Sequence, residues 1–157
     1  MTNLVEVVFE SVDESCIAQL FIMLIQSSKR VSEIQCSENI SIFENGELSE
    51  EELGHFLGLN GDAVIFVNAS DVMLGDVVFP NIQFRLVKYG CEYDVDFNFY
   101  YDEIEHISLP ALICSVHAYA KGLALKFGIS SYYSGMEPAS DEETRFFTNE
   151  EVGPLVA

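Results

Sequence analysis

Residues 94–105 read DVDFNFYYDEIE, with oxygen-bearing side chains at Asp94, Asp96, Asn98, Asp102 and Glu105. That is the ligand spacing of a calcium-binding EF-hand loop. Such a loop takes glycine at its sixth place, where the chain turns sharply, and this sequence has Phe99 there. Tyr93, Val95, Phe97, Phe99 and Tyr101 alternate with the acids, and a calcium loop would leave these large side chains without a core. Alternating aromatic and β-branched residues are what a half-buried strand requires. The stretch therefore reads as a strand whose outward face carries Asp94, Asp96, Asn98, Tyr100 and Asp102, and no metal is expected.

Other reactive groupings are sparse. The sequence holds no Gly-rich phosphate loop, HExxH, GxSxG or CxxC motif. His55, His106 and His117 stand apart. His117 borders an apolar helical stripe and reads as a hydrogen-bonded structural histidine. His106 follows Glu103 and Glu105 at a strand-to-helix junction, which is where a small-ligand or catalytic role would have to begin. Asp94 and Asp96 point the same way about 7 Å apart on a strand, and in so acidic a chain such a pair arises without acid–base chemistry. No enzyme and no cofactor is expected.

Charge is the strongest global signal. The chain has 157 residues, with 26 acidic against 7 basic side chains and a net charge of −19. No Lys or Arg occurs from Val31 to Phe84. Such a surface repels phosphate backbones and anionic headgroups, so direct binding to nucleic acid or membranes is disfavoured. It attracts a basic partner and accelerates encounter. The outward row Glu92, Asp94, Asp96 and Asp102 is one candidate contact patch. The tail acids Glu137, Asp141, Glu142 and Glu143, with Glu150 and Glu151, form a second, and Glu50, Glu51 and Glu52 a third. Lysine at Asp94 or Asp96 is expected to weaken partner binding far more than folding.

The elements that would position these residues follow from periodicity. Half the residues are apolar (49%), enough for one packed domain. Ser11 to Glu14 has the form of a capping box opening an almost wholly apolar helix to about Ser28. Ile40 and Ile42 suggest a short strand closed by Asn45-Gly46. A second capping box, Ser49 to Glu52, opens a short helix with Leu53, Phe56 and Leu57 inward. Asp62 to Asn68 lacks alternation and reads as a strand buried on both faces. Ile82 to Lys88 follows Pro80 as another strand, and Tyr89-Gly90-Cys91 makes the return into the acidic strand. Ser108 and Pro110 start a helix whose stripe, Ile113, Val116, Ala120, Leu123 and Phe127, ends at Gly128. Ile129 to Tyr133 adds a strand.

The expected fold is α+β: an antiparallel β-meander packed by two long helices, in a single domain over residues 1–135. Residues 136–157 read as an acidic C-terminal extension packed on the body with a frayed end. Cys16, Cys36, Cys91 and Cys114 show no zinc or disulfide spacing, and Cys16 and Cys114 fall in apolar helical patterns as small hydrophobes. The N-terminus lacks a basic leader region, and Cys16 to Ile25 is too short to span a bilayer. The cytoplasm is the expected location.

QFRLVKYGCEYDVDFNFYYDEIE, the helix PALICSVHAYAKGLALKFG and the following YYSGMEPASDEETRFFTNEEVGP resemble immunity proteins of bacterial contact-dependent growth inhibition systems, including the related neisserial Maf systems. The resemblance covers the second half of the chain. It implies a cytoplasmic protein that binds one cognate toxin domain, usually a nuclease, and blocks it, in one branch by β-augmentation of its sheet; a monomer that forms a 1:1 complex is the expected state. An acidic, homodimeric secretion-effector chaperone is the alternative reading, and a small-ligand protein near His106 a third.

Overall fold

A computed structural model describes residues 3–38 and 48–154. The strand and turn expected around residues 40–46 lie outside the described residues. Eight strands form one antiparallel sheet in the order β2-β3-β4-β5-β1-β6-β7-β8. β2 (Ser28–Cys36), β3 (Ala63–Leu74), β4 (Val77–Tyr89) and β5 (Glu92–Tyr100) run as a meander. β1 (Leu4–Glu10) inserts between β5 and β6 (Ser131–Met136), and β7 (Arg145–Thr148) and β8 (Glu151–Val152) complete the far side. The helices are α1 (Glu14–Gln26), α2 (Glu50–Leu57) and α3 (Leu109–Phe127).

The expected α+β class, antiparallel meander and two long packing helices are present, with β1 spliced into the middle of the sheet. One apolar cluster joins Val5, Val7 and Phe9 of β1 to Val95, Phe97 and Phe99 of β5, Ile17, Leu20, Phe21 and Leu24 of α1, and Ile113, Val116, Ala120 and Phe127 of α3. The helices thus cover one face of the sheet. Alternation sends the other side chains, among them Glu6, Asn68, Gln83, Arg85, Asp94, Asp96 and Asn98, to the opposite face.

α3 forms where the sequence places it. Ser108 accepts the Ala111 N–H (3.3 Å), Pro110 sits in the first turn, and Gly128 adopts φ 65°, a left-handed cap that glycine adopts without a Cβ penalty. Ser49 caps α2 by accepting the Glu52 N–H (3.2 Å). α1 is capped differently: Asp13 Oδ1 accepts the Ser15 N–H (2.8 Å), and Ser11 lies outside the helix at φ 50°. Aspartate caps as well as serine does, and Ser11 is drawn away because its N–H donates to Asp94 Oδ1 (2.9 Å).

Further departures have local causes. α1 stops at Gln26 because Ser28 already pairs with Val72 in β2, and its full burial is confined to one stripe. β3 alternates buried and half-buried residues, so it is not enclosed on both faces; its second apolar set, Val64 and Phe66, lies on the open face. Pro80 sits inside β4, opposite an irregular point where Asp71 has φ 53°, with pairing resuming at Ser70–Asn81 and Val72–Phe79. There the missing N–H costs no regular ladder bond. Tyr101 leaves the strand for a short 3-10 turn. Cys114 is exposed, so it is not the packed hydrophobe its helical setting suggests. Lys88 is buried on the helix side of the sheet, where its ammonium donates to the Leu59 and Gly61 carbonyls just beyond α2.

Candidate functional site

The open face of the sheet is organised in cross-strand rows set by register. One row runs Phe66–Arg85–Asp96–Val8–Tyr133 across β3, β4, β5, β1 and β6. Arg85 Nε and Nη2 both donate to Asp96 Oδ2, at 2.8 and 2.7 Å. Asp96 is only 5% exposed. Asp94 beside it accepts from the Ser11 N–H and from the Tyr89 hydroxyl, both at 2.9 Å.

The segment after β6 packs on the far end of this row. Ala139, fully buried, packs on Val8 and Tyr133 of the open face. Its N–H donates to Glu6 Oε2 (3.2 Å), and its carbonyl accepts from Arg145 Nε (3.0 Å). Arg145 also donates to Thr148 Oγ1 and the Ser140 carbonyl, and its guanidinium lies 4.2 Å from the centre of the Tyr133 ring. Gly135 lets this strap approach: a Cβ there would meet the Thr144 carbonyl oxygen at 2.5 Å. The tail therefore covers part of the open face at Val8, Tyr133 and Glu6.

Burial changes how the carboxyl groups titrate. Desolvation is the dominant effect on Asp96 and raises its pKa to about 6, outweighing the Arg85 hydrogen bond, while Glu6 and Asp94 push the same way. Burial by itself would lower the Arg85 pKa, but the Asp96 hydrogen bond and charge, with Glu6 and Asp94 nearby, together outweigh it and hold the guanidinium protonated. Asp94 is raised by the same desolvation, which its two donors only partly oppose. Tyr89 is raised by burial and by the adjacent Asp94 carboxylate.

A stability consequence follows from Asp96. Its folded pKa lies above the ordinary carboxylate value of about 3.9, so folding favours the protonated form. The associated stability is fully present below about pH 4 and is lost as pH rises through about 6. The two pKa values differ by about two units, or at most about 3 kcal/mol. Urea denaturation of the wild type and Asp96→Asn at pH 4 to 7 should show the difference between them changing by up to that amount over this window. Parallel profiles would contradict the assignment.

A second row, Glu33–Asn68–Gln83–Asn98–Glu6, spans β2, β3, β4, β5 and β1. Asn98 Nδ2 donates to Gln83 Oε1 (3.2 Å), Gln83 Nε2 to Asn68 Oδ1 (3.3 Å), and Asn68 Nδ2 to Glu33 Oε2 (3.2 Å). This relay lines a hollow on the open face whose rim includes Tyr100, Glu103 and Glu137.

The acids of the strand row and the strap singled out from sequence are dispersed over this geometry. Asp94 is half-buried beside the row that holds Asp96, and the solvated acidic face inferred from alternation is corrected at Asp96, whose buried carboxylate is paired with Arg85. Glu92 is exposed at the start of β5, and Asp102 is exposed beyond its far end, accepting from Asn3 Nδ2 (3.4 Å). Glu137, Asp141, Glu142 and Glu143 are exposed on the strap. Glu6, Glu10, Glu33 and Glu103 escaped the sequence reading. Counting back from the Gly90 turn sets Arg85 opposite Asp96 and Gln83 opposite Asn98, a signal the sequence does contain.

The histidines are placed apart from these rows. His117 Nε2 donates to the Asn149 carbonyl (2.6 Å) and its ring stacks on Phe147 at 4.1 Å. His106 is exposed in a turn at φ 66°. Among the described residues, no group of three or more His, Cys, Asp or Glu is arranged to hold a metal ion, and no helix is long and apolar enough to cross a membrane.

Taken together, the architecture is that of a single-domain α+β protein whose sheet has one helix-packed face and one open, acid-rich face. The PABL017 Cdi1I immunity protein family matches residues 3–152, and the chain belongs to that family. It is also similar over 99% of both chains, at 33% identity and a TM-score of 0.84, to a solved structure: the toxic C-terminal tip of CdiA from Pseudomonas aeruginosa in complex with its immune protein. No curated protein matches the chain.

Proposed function

We propose that this chain binds the C-terminal toxin domain of a CdiA-type protein in the cytoplasm and neutralises it stoichiometrically, one to one, without chemistry of its own. The observation that carries this reading is the family match over nearly the whole described chain. A net charge of −19 fits a basic toxin, as nucleases are, because positive substrate-binding surfaces attract acidic inhibitors.

The contacts are assigned to the open face and strap: Glu92, Asp94, Asp102, Glu137, Asp141, Glu142 and Glu143, with Asp96 holding Arg85 beneath them. On this side Arg85 is paired with Asp96, and the remaining cations, Arg145 on the strap and exposed Arg30 opposite Ser70, are outnumbered by the carboxylates. β2 and β8 are the outer strands, and β2 is the longer. A toxin hairpin added along β2 would extend the sheet beside Glu33.

The test is protection. Cells making the CdiA C-terminal domain encoded beside this chain should survive when this chain is co-expressed, and die when it is replaced by an unrelated immunity protein. Death in both cases would overturn the reading.

A further inference from the structure

The amide relay has a direction fixed by chemistry. Ionised Glu33 can only accept, so Asn68 must turn its nitrogen toward it and present its oxygen to Gln83. Gln83 then donates to Asn68 and accepts from Asn98. Asn98 thus spends its nitrogen toward β4 and keeps its oxygen as an acceptor, and its register partner on β1 is Glu6, whose Oε2 accepts the Ala139 N–H. The relay therefore ends on acceptors. Glu103, which accepts from Asn81 Nδ2 (3.2 Å), and Glu137 add carboxylates around the same hollow, Arg85 lines it with its charge paired to Asp96, and Tyr100, 49% exposed, adds an aromatic ring.

We propose that this hollow receives an arginine-bearing cationic segment of the toxin domain. The proposal rests on the immunity reading above and names the part of the face that the toxin occupies. A guanidinium is donor-only and planar. It suits converging acceptors, pairs with carboxylates and lies flat on an aromatic ring. The relay holds Gln83 and Asn98 in place before binding, which lowers the ordering cost of the encounter. A second copy of this chain fits poorly, because it would set Glu6, Glu103 and Glu137 against their own kind.

The experiment measures affinity of the purified chain for the CdiA C-terminal domain encoded beside it. Glu103→Lys and Glu137→Lys, both exposed, should each weaken binding at least tenfold and together at least a hundredfold, with unchanged thermal melting. Asn98→Ala should weaken it severalfold. Glu50→Lys with Glu51→Lys applies the same charge change on α2, across the sheet from the hollow, and should cost less than threefold. Equal losses from both pairs would reduce the effect to net charge and overturn the hollow as the docking site, as would unaltered binding by the rim variants. Failure of the wild type to bind would instead remove the immunity reading itself.

Discussion

Asp96→Lys is expected to lose about 3–5 kcal/mol of folding stability, read as a shift of the urea midpoint at pH 7. The wild-type carboxylate is buried and paired with Arg85, so lysine there removes the partner of Arg85 and buries a like charge against it. A typical domain has only about 5–15 kcal/mol in total, which makes partial unfolding at ordinary temperature the expected appearance of this variant. This reverses the expectation from alternation alone, under which Asp96 served binding more than folding. Glu92→Lys and Glu142→Lys, on exposed acids, should stay within about 0.5 kcal/mol of wild type. An Asp96→Lys protein as stable as wild type would show that the carboxylate is solvated after all.

Association with the toxin domain is expected to slow on the order of 10- to 100-fold as ionic strength rises from about 0.01 to 0.15 M, where the Debye length shrinks from about 30 to 8 Å. The acids responsible are spread along the open face and strap, so they act through their summed field more than through single contacts. Dissociation should change much less, because it reflects the short-range contacts once they are formed. Stopped-flow mixing across a salt series separates the two rates. A flat association rate would remove electrostatic steering from the mechanism while leaving the binding itself intact.

What the sequence discloses depends on how local the determining physics is. α3 is readable because its cap, first-turn proline, apolar stripe and terminal glycine all lie within its own span. The β4–β5 hairpin is readable from alternation and the Gly90 turn. β1 escaped because Val8 and Phe9 break its alternation. β2 escaped because it is a polar outer strand with little apolar signal. The β3–β4 return at Gly75-Asp76 carries a usable two-residue turn signal, and following it would have extended both strands.

The acidic face shows the same division. Alternation reports which side of a strand a residue takes, and it placed Asp94, Asp96 and Asn98 together. It says nothing about what lies over that side. Only the tertiary structure decides that Asp96 is buried in a pair with Arg85, and that the segment Glu137–Ser140, held by Arg145 and admitted by Gly135, packs on Val8 and Tyr133 with Glu137 exposed. The amide relay likewise needs four strands in register before its polarity exists.

The most direct measurement mixes this chain with the CdiA C-terminal domain encoded beside it and determines the mass of the product by light scattering during size exclusion. A single species at the summed mass of one copy of each is the expected result. Separate elution of the two proteins, or a homodimer of this chain that ignores the toxin domain, would contradict the immunity function at its centre.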